Sequence, residues 1–259
     1  MIENFDFLSL KNKHILVTGA TSGIGRQTAI LTSKYGARVS IIGRREEKLQ
    51  ETLSMMSGEG HDFSVFDLSD INGIEPLIKN IVAKNGPFDG YVQCAGINKD
   101  QPINSVKFDK IHELMLTNFY SFYEMVRVIS RKGRFNPGLS IVGISSTAAE
   151  CGVSSNTAYS ATKAAMNGAM RSMAKELSVK GIRVNKILPG PTNTEMYREY
   201  LTLRTGVKEQ ESSLTPVQRN YLGINEPSDV ANAAMFLLSP ASRMITGIEL
   251  PVDAGYTSC

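Results

Sequence analysis

Tryptophan is absent from this 259-residue chain, and cysteine and histidine occur only three times each. Cys94, Cys151 and Cys259 are odd in number and form no CxxC pair. That argues against a disulfide framework and for a reducing, cytoplasmic setting. His14, His61 and His112 have no ligand spacing, so no metal site is expected. Excess charge of one sign is also lacking: 28 Lys and Arg face 25 Asp and Glu, a formal net charge of +3. So small an imbalance argues against nucleic acid or a membrane surface as the main partner. No apolar run reaches the ~18 residues that would span a bilayer. The opening residues, MIENFDFLSLKNKH, carry early acids and no long apolar stretch, so a secretory signal is not expected. Linkers, low-complexity tracts and repeats of 20–50 residues are likewise missing.

What the chain has instead is a regular alternation. Strand-like apolar runs fall at 14–19, 37–43, 62–68, 88–96, 139–146, 182–190 and 245–255. Helical patterns fill the gaps at 23–35, 46–56, 74–85, 108–131, 157–179 and 228–239. Strands separated by helices of this length predict βαβ units and a parallel sheet covered on both faces. The expected fold is α/β: one doubly wound, Rossmann-type domain over residues 1–259, with a seven-stranded parallel sheet.

The first strand runs straight into Thr18-Gly-Ala-Thr-Ser-Gly-Ile-Gly25 and then a helix. Gly19, Gly23 and Gly25 suit a tight turn and close backbone approach, and the helix N-terminus offers unpaired N–H groups to an anion. The spacing GxxxGxG is a variant of the dinucleotide fingerprint. Dinucleotide binders of the NAD type place an acid about 20 residues on, to grip the ribose 2′-hydroxyl. Here Arg44 and Arg45 occupy that place. A guanidinium attracts a 2′-phosphate that an acid would repel, so NADP(H) is expected over NAD(H). The alternative for Arg44 is a solvated residue at a helix start. Asp67, ending the third strand, suits either an adenine amino group or a helix cap, and Asp70 is the better cap.

Ser145 and Ser146 close the fifth strand, where the ligand crevice of an open α/β sheet lies. Thirteen residues on, Tyr159 and Lys163 stand four apart in AYSATKAAM. On a helix they share a face. A phenol with an ordinary pKa near ~10 is a poor acid–base group at neutral pH. A cation within ~4–6 Å lowers it, so Lys163 is expected to tune Tyr159. Small neighbours leave room for a substrate and a pyridine ring.

Taken together, TGATSGIG (18–25), Asp67-Leu68, CAG (94–96), Asn118, ISS (144–146), YSATK (159–163), PGPTNT (189–194) and TGIELPVDAG (246–255) resemble the classical short-chain dehydrogenase/reductases, in family order along nearly the whole chain. The resemblance is nearest to 3-oxoacyl-(acyl-carrier-protein) reductases. It implies a tetrad: Tyr159 as general acid or base, Lys163 lowering its pKa and holding ribose hydroxyls, Ser146 on the substrate oxygen, and Asn118 anchoring a water chain. It also implies cofactor contacts from Gly19, Thr21, Ser22, Gly23, Ile24, Gly25, Arg44, Arg45, Asp67, Leu68, Ala95, Gly96, Tyr159, Lys163, Pro189, Gly190, Thr192 and Thr194. The family's motif after the fourth strand is NNAG, whose second Asn ties the sheet together. This chain has Gln93-Cys94-Ala95-Gly96. Either local packing compensates, or the site is softer than usual.

By the same resemblance, residues of about 10–190 bind cofactor, and about 191–225 form the substrate loop and helices. There Tyr197, Tyr200, Leu201, Leu203 and Leu214 suit either an apolar pocket or helix packing. The basic run Arg127, Arg131, Lys132 and Arg134 suits either an acidic carrier protein or a solvated helix end. Three functions follow: an NADP-dependent 3-oxoacyl-type reductase; the same chemistry on a sugar, polyol or steroid-like ketone or alcohol; or a catalytically silent NADP-binding partner protein. The family implies a homotetramer or homodimer, with the helices of Asn118 and Tyr159 at one interface.

Overall fold

β-Branched and apolar residues dominate the central stretches of the strands at 14–18, 38–43, 88–93, 135–144 and 183–189 because both sheet faces are covered there. A computed structural model describes residues 7–205 and 220–258 of the protein. The strands are β1 (His14–Thr18), β2 (Arg38–Gly43), β3 (Asp62–Val65), β4 (Phe88–Gln93), β5 (Phe135–Ile144), β6 (Arg183–Pro189) and β7 (Glu249–Val252). They pair in parallel in the order β3-β2-β1-β4-β5-β6-β7. The seven-stranded parallel sheet is the one expected. After β3 the chain returns to the far side of β1, so the order reverses between β1 and β4. Their carboxyl ends open the crevice where ligands bind in such sheets.

The helices are α1 (Gly23–Lys34), α2 (Glu46–Ser54), α3 (Ile74–Asn85), α4 (Phe108–Met115), α5 (Ser121–Ile129), α6 (Thr157–Leu177), α7 (Glu195–Thr205) and α8 (Pro227–Leu238). One apolar layer joins α3, α5 and α6 to the sheet through Ile78, Phe122, Met125, Met166 and Met170. The other joins α1, α2 and α8 through Ala29, Leu49, Val230, Ala234 and Leu237. Each of the larger of these side chains contributes about 1.5–3 kcal/mol by leaving water.

Several boundaries differ from the pattern, β3 and β4 ending three residues early, and four of the differences have a local reason. The expected helix at 108–131 is divided by a π-helical turn, Leu116–Tyr120, with Asn118 inside it. β5 starts earlier, because Phe135 pairs with Phe88 before the register shifts. β7 is short: Asp253 ends it by accepting bonds from Thr257 N (2.9 Å) and Thr257 Oγ1 (2.6 Å). α8 starts at Pro227, with Glu226 N donating to Asp229 Oδ2 at 2.8 Å. Helix α7 carries too little apolar periodicity to be read from sequence.

Candidate active site

The glycine-rich turn is built by close approach. Gly19 has φ +67° and Gly23 φ +53°, both in the left-handed region that favours glycine. A Cβ on Gly19 would stand 2.7 Å from Ala95 N. Arg26, in the first turn of α1, braces the loop: its guanidinium donates to Thr21 O (2.7 Å), Thr52 Oγ1 (3.0 Å) and Glu51 Oε2 (3.0 Å). The turn floors a groove of about 470 Å³ across the carboxyl ends of β1, β2 and β4. Gly19, Thr21, Ser22, Gly23, Ile24, Gly25, Arg44, Arg45, Asp67, Leu68, Ala95, Gly96 and Thr194 all line it. Pro189, Gly190 and Thr192 do not, nor do Tyr159 and Lys163. Thr192 is turned inward, donating to Gly190 O at 2.9 Å, and Gly190 packs against Asp253.

At the outer end, Arg44 Nη1 lies 3.7 Å from Asp67 Oδ2. Asp67 Oδ1 also accepts from Ser69 N (2.9 Å), while Asp70 caps the next turn from Gly73 N (3.1 Å). Arg45 Nη2 reaches Thr21 Oγ1 (3.2 Å), Ser22 Oγ (3.3 Å) and Glu195 Oε2 (3.3 Å) on α7. Glu195, Met196 and Glu199 thus form a wall that sequence reading missed. Its signal was the acid directly after PGPTNT.

At the inner end, Gly96 connects the groove to the proton-handling groups. A Cβ there would meet Asn118 Oδ1 at 3.3 Å and Lys163 Nζ at 3.5 Å. Lys163 lies on the buried stripe of α6, which repeats through Met166, Met170, Ala174 and Leu177. Its Nζ donates to Ile144 O at 2.8 Å. Burial pulls Lys163 down to about 8, so it remains largely an ammonium at neutral pH. Tyr159 stands one turn earlier, its ring centroid 5.8 Å from that nitrogen. Burial pushes the Tyr159 phenol up to about 12; the Ser146 hydroxyl draws it down and Asp100 raises it further. The expected acidification by Lys163 is not seen: burial sets the direction, Lys163 is not among the groups that shift the phenol, and its ammonium donates to the Ile144 carbonyl. Ser146 lies two residues past the end of β5 and caps the following turn, accepting from Ala148 N at 3.1 Å.

Asn118 is fully buried and fully used. Its Oδ1 accepts from Ile97 N (2.8 Å), and its Nδ2 donates to Ile97 O (2.9 Å) and Thr162 Oγ1 (3.0 Å). The wide π turn carries it between the β4 loop and α6. The departure at Cys94 is met by Gln93. Its Oε1 accepts from Thr18 Oγ1 (2.9 Å) and Tyr91 OH, and its Nε2 donates to Ala95 O (3.1 Å). Local packing thus compensates, one residue earlier than the family's tie. Burial pushes the Cys94 thiol up to about 12, which disfavours its thiolate.

The remaining candidates fall elsewhere. Arg127, Arg131 and Arg134 converge on Glu75 at 3.6, 2.7 and 2.9 Å. Arg134 and Lys79 hold the Glu75 carboxyl down at about 2. Three of the four residues of the basic run are thus engaged within the chain at the end of α5. Leu214 lies outside the described residues, as do the side chains of Tyr200 and Leu203. Among the described residues no helix is long and apolar enough to cross a membrane.

Residues 19–257 match the family model described as enoyl-(acyl carrier protein) reductase. A 3-oxoacyl-(acyl-carrier-protein) reductase of Vibrio harveyi is 31% identical over 249 residues, covering 96% of this chain and 98% of that protein. An L-xylulose reductase of Caenorhabditis elegans is 31% identical over 265 residues, covering 100% of both. A dehydrogenase/reductase structure from Sinorhizobium meliloti 1021 superposes with a TM-score of 0.86 at 29% identity, covering 97% of each chain. With the glycine cradle and the Tyr159–Lys163 pair at the mouth of one parallel sheet, these matches show that the chain belongs to the short-chain dehydrogenase/reductase family of nicotinamide-dependent oxidoreductases.

Proposed function

We propose that the chain interconverts a ketone and a secondary alcohol with NADP(H) as the hydride carrier. The observation that carries this reading is the meeting at Gly96 of the dinucleotide-sized groove with Asn118 and Lys163, one helical turn from Tyr159. The cradle suits the cofactor chemically. Gly19 and Gly23 leave no side chain above the loop, α1 points its N-terminus at the groove, and Arg44 and Arg45 supply cations for a 2′-phosphate. When bound, the nicotinamide would supply or accept the hydride.

The chain's own residues handle the proton. A phenol raised to about 12 is protonated at neutral pH, which is the form a reduction needs. Tyr159 then gives its proton to the oxygen as negative charge develops there. Ser146 is the hydroxyl that orients that oxygen. Lys163 keeps a positive charge beside the site and is aimed by Ile144 O. Asn118 acts through its bonds to Ile97 and Thr162, which hold the β4 loop against α6. Pro189, Gly190 and Thr192 support the turn that presents Thr194. Residues of about 191–225 serve as the substrate segment of a single domain spanning 1–259. A cytoplasmic location is supported by the thiols of Cys94 and Cys151, which form no disulfide. The exposed Tyr120 and Tyr123 support association into a homotetramer or homodimer.

For the substrate, likeness to the Vibrio harveyi enzyme supports a 3-oxoacyl thioester. For a sugar or polyol, likeness to the Caenorhabditis elegans L-xylulose reductase is the support. The test is NADPH oxidation with acetoacetyl thioesters against a panel of keto-sugars. Absence of turnover on any ketone or alcohol would leave the silent partner-protein reading standing.

A further inference from the structure

The Arg45–Glu195 pair spans the groove exactly where two cofactors would differ. Arg45 sits at the start of α2, and Glu195 opens α7, 150 residues later in the chain. The guanidinium also rests on Thr21 Oγ1 and Ser22 Oγ, so it lies over the glycine-rich turn. The other cation at that end, Arg44, faces Asp67 at 3.7 Å. Each arginine able to receive a 2′-phosphate therefore has a carboxylate partner already. The two pairs differ in what the carboxylate belongs to. Asp67 lies on the sheet rim and would sit beside the adenine. Glu195 belongs to the helix closing the opposite wall.

Resting on the cofactor reading above, we infer that Glu195 is a specificity-determining residue that competes with the 2′-phosphate of NADP(H) for Arg45, narrowing the preference for NADP(H) over NAD(H). A phosphate monoester carries more charge than a carboxylate and offers three acceptor oxygens, so it displaces Glu195. A 2′-hydroxyl has no charge with which to do so, and the Arg45–Glu195 pair survives NAD(H) binding. Glu195 therefore opposes one cofactor and leaves the other nearly untouched. Both side chains are about half exposed, 50% for Arg45 and 48% for Glu195, so the competition is modest.

The test uses binding of adenosine 2′,5′-bisphosphate and adenosine 5′-monophosphate to the full chain by calorimetry. Glu195→Gln is expected to bind the bisphosphate about three- to fivefold more tightly while the monophosphate is unchanged. Glu195→Asp, which keeps the helix-start acid but shortens its reach, is expected to fall between. Glu199→Gln alters a carboxylate on the same wall that does not pair with Arg45, and should leave the ratio of the two affinities unchanged. The same shift should appear in the kcat/KM ratio for NADPH over NADH. Equal tightening of both probes by Glu195→Gln, or no change in either, overturns the role of Glu195. A parent chain that binds both probes equally, or neither, overturns the NADP reading itself.

Discussion

Replacing Gln93 by Leu should destabilise the chain by about 2–4 kcal/mol, through the network that stands in for the family's asparagine. Gln93 is 1% exposed, and Thr18 and Tyr91 are 0% exposed. Leucine keeps most of the volume but removes three hydrogen bonds. Two buried hydroxyls lose their acceptor, and Ala95 O loses the Gln93 donor. A buried polar group left unpaired costs about 1–3 kcal/mol. The hydroxyls can rotate and the leucine adds about 1 kcal/mol of apolar burial, which together reduce the sum to the figure above. At about 2–4 °C per kcal/mol for a chain of this size, Tm should fall by about 5–15 °C. Thermal unfolding followed by circular dichroism would measure it, at fixed protein concentration because association shifts Tm. Tyr91→Phe removes one donor but leaves Gln93 bonded to Thr18, so it should lose about 1 kcal/mol or less. The double variant should lose less than the two losses added. A Gln93→Leu variant within about 0.5 kcal/mol of the parent, or strict additivity, would refute the network as the sheet's tie.

Tyr159→Phe should lower kcat by about 10²–10⁴-fold while dinucleotide affinity, read by fluorescence titration, stays within about twofold; surviving turnover would mean another proton donor. Lys163→Met should abolish turnover yet stabilise the fold near neutral pH. The folded Lys163 is held at about 8, below its usual 10.5, so its burial penalty is complete below the folded value and relieved as pH rises toward the unfolded one. The Tm advantage of the variant should therefore shrink steadily between about pH 7 and pH 10, and a constant advantage would contradict the buried ammonium. Gly19→Ala forces a Cβ to within 2.7 Å of Ala95 N in a left-handed backbone, so it should cost about 1–3 kcal/mol and remove cofactor binding; normal binding would show that the turn does not cradle it.

The strand and helix alternation was readable because each element advertises its own period. A buried strand such as β2 is mostly apolar, and the glycine turn at 19–25 interrupts the pattern at a junction where the backbone lines the groove. Tyr159 and Lys163 were legible for the same reason: four residues on one helix place them on one face whatever surrounds it. Such signals are local, so one sequence carries them whole. Other features depend on partners far along the chain. The π turn holds Asn118 against Ile97, and Gln93 replaces the family's tie only because Thr18 and Tyr91 arrive beside it. The basic run became an internal cluster because Glu75 on α3 meets it. The phenol's upward shift reflects desolvation, a property of the packed site rather than of residue spacing. Sequence alone determined which groups the chain has and which local face each occupies. The tertiary structure decided which of them meet, since burial and long-range pairing exist only once the layers have closed.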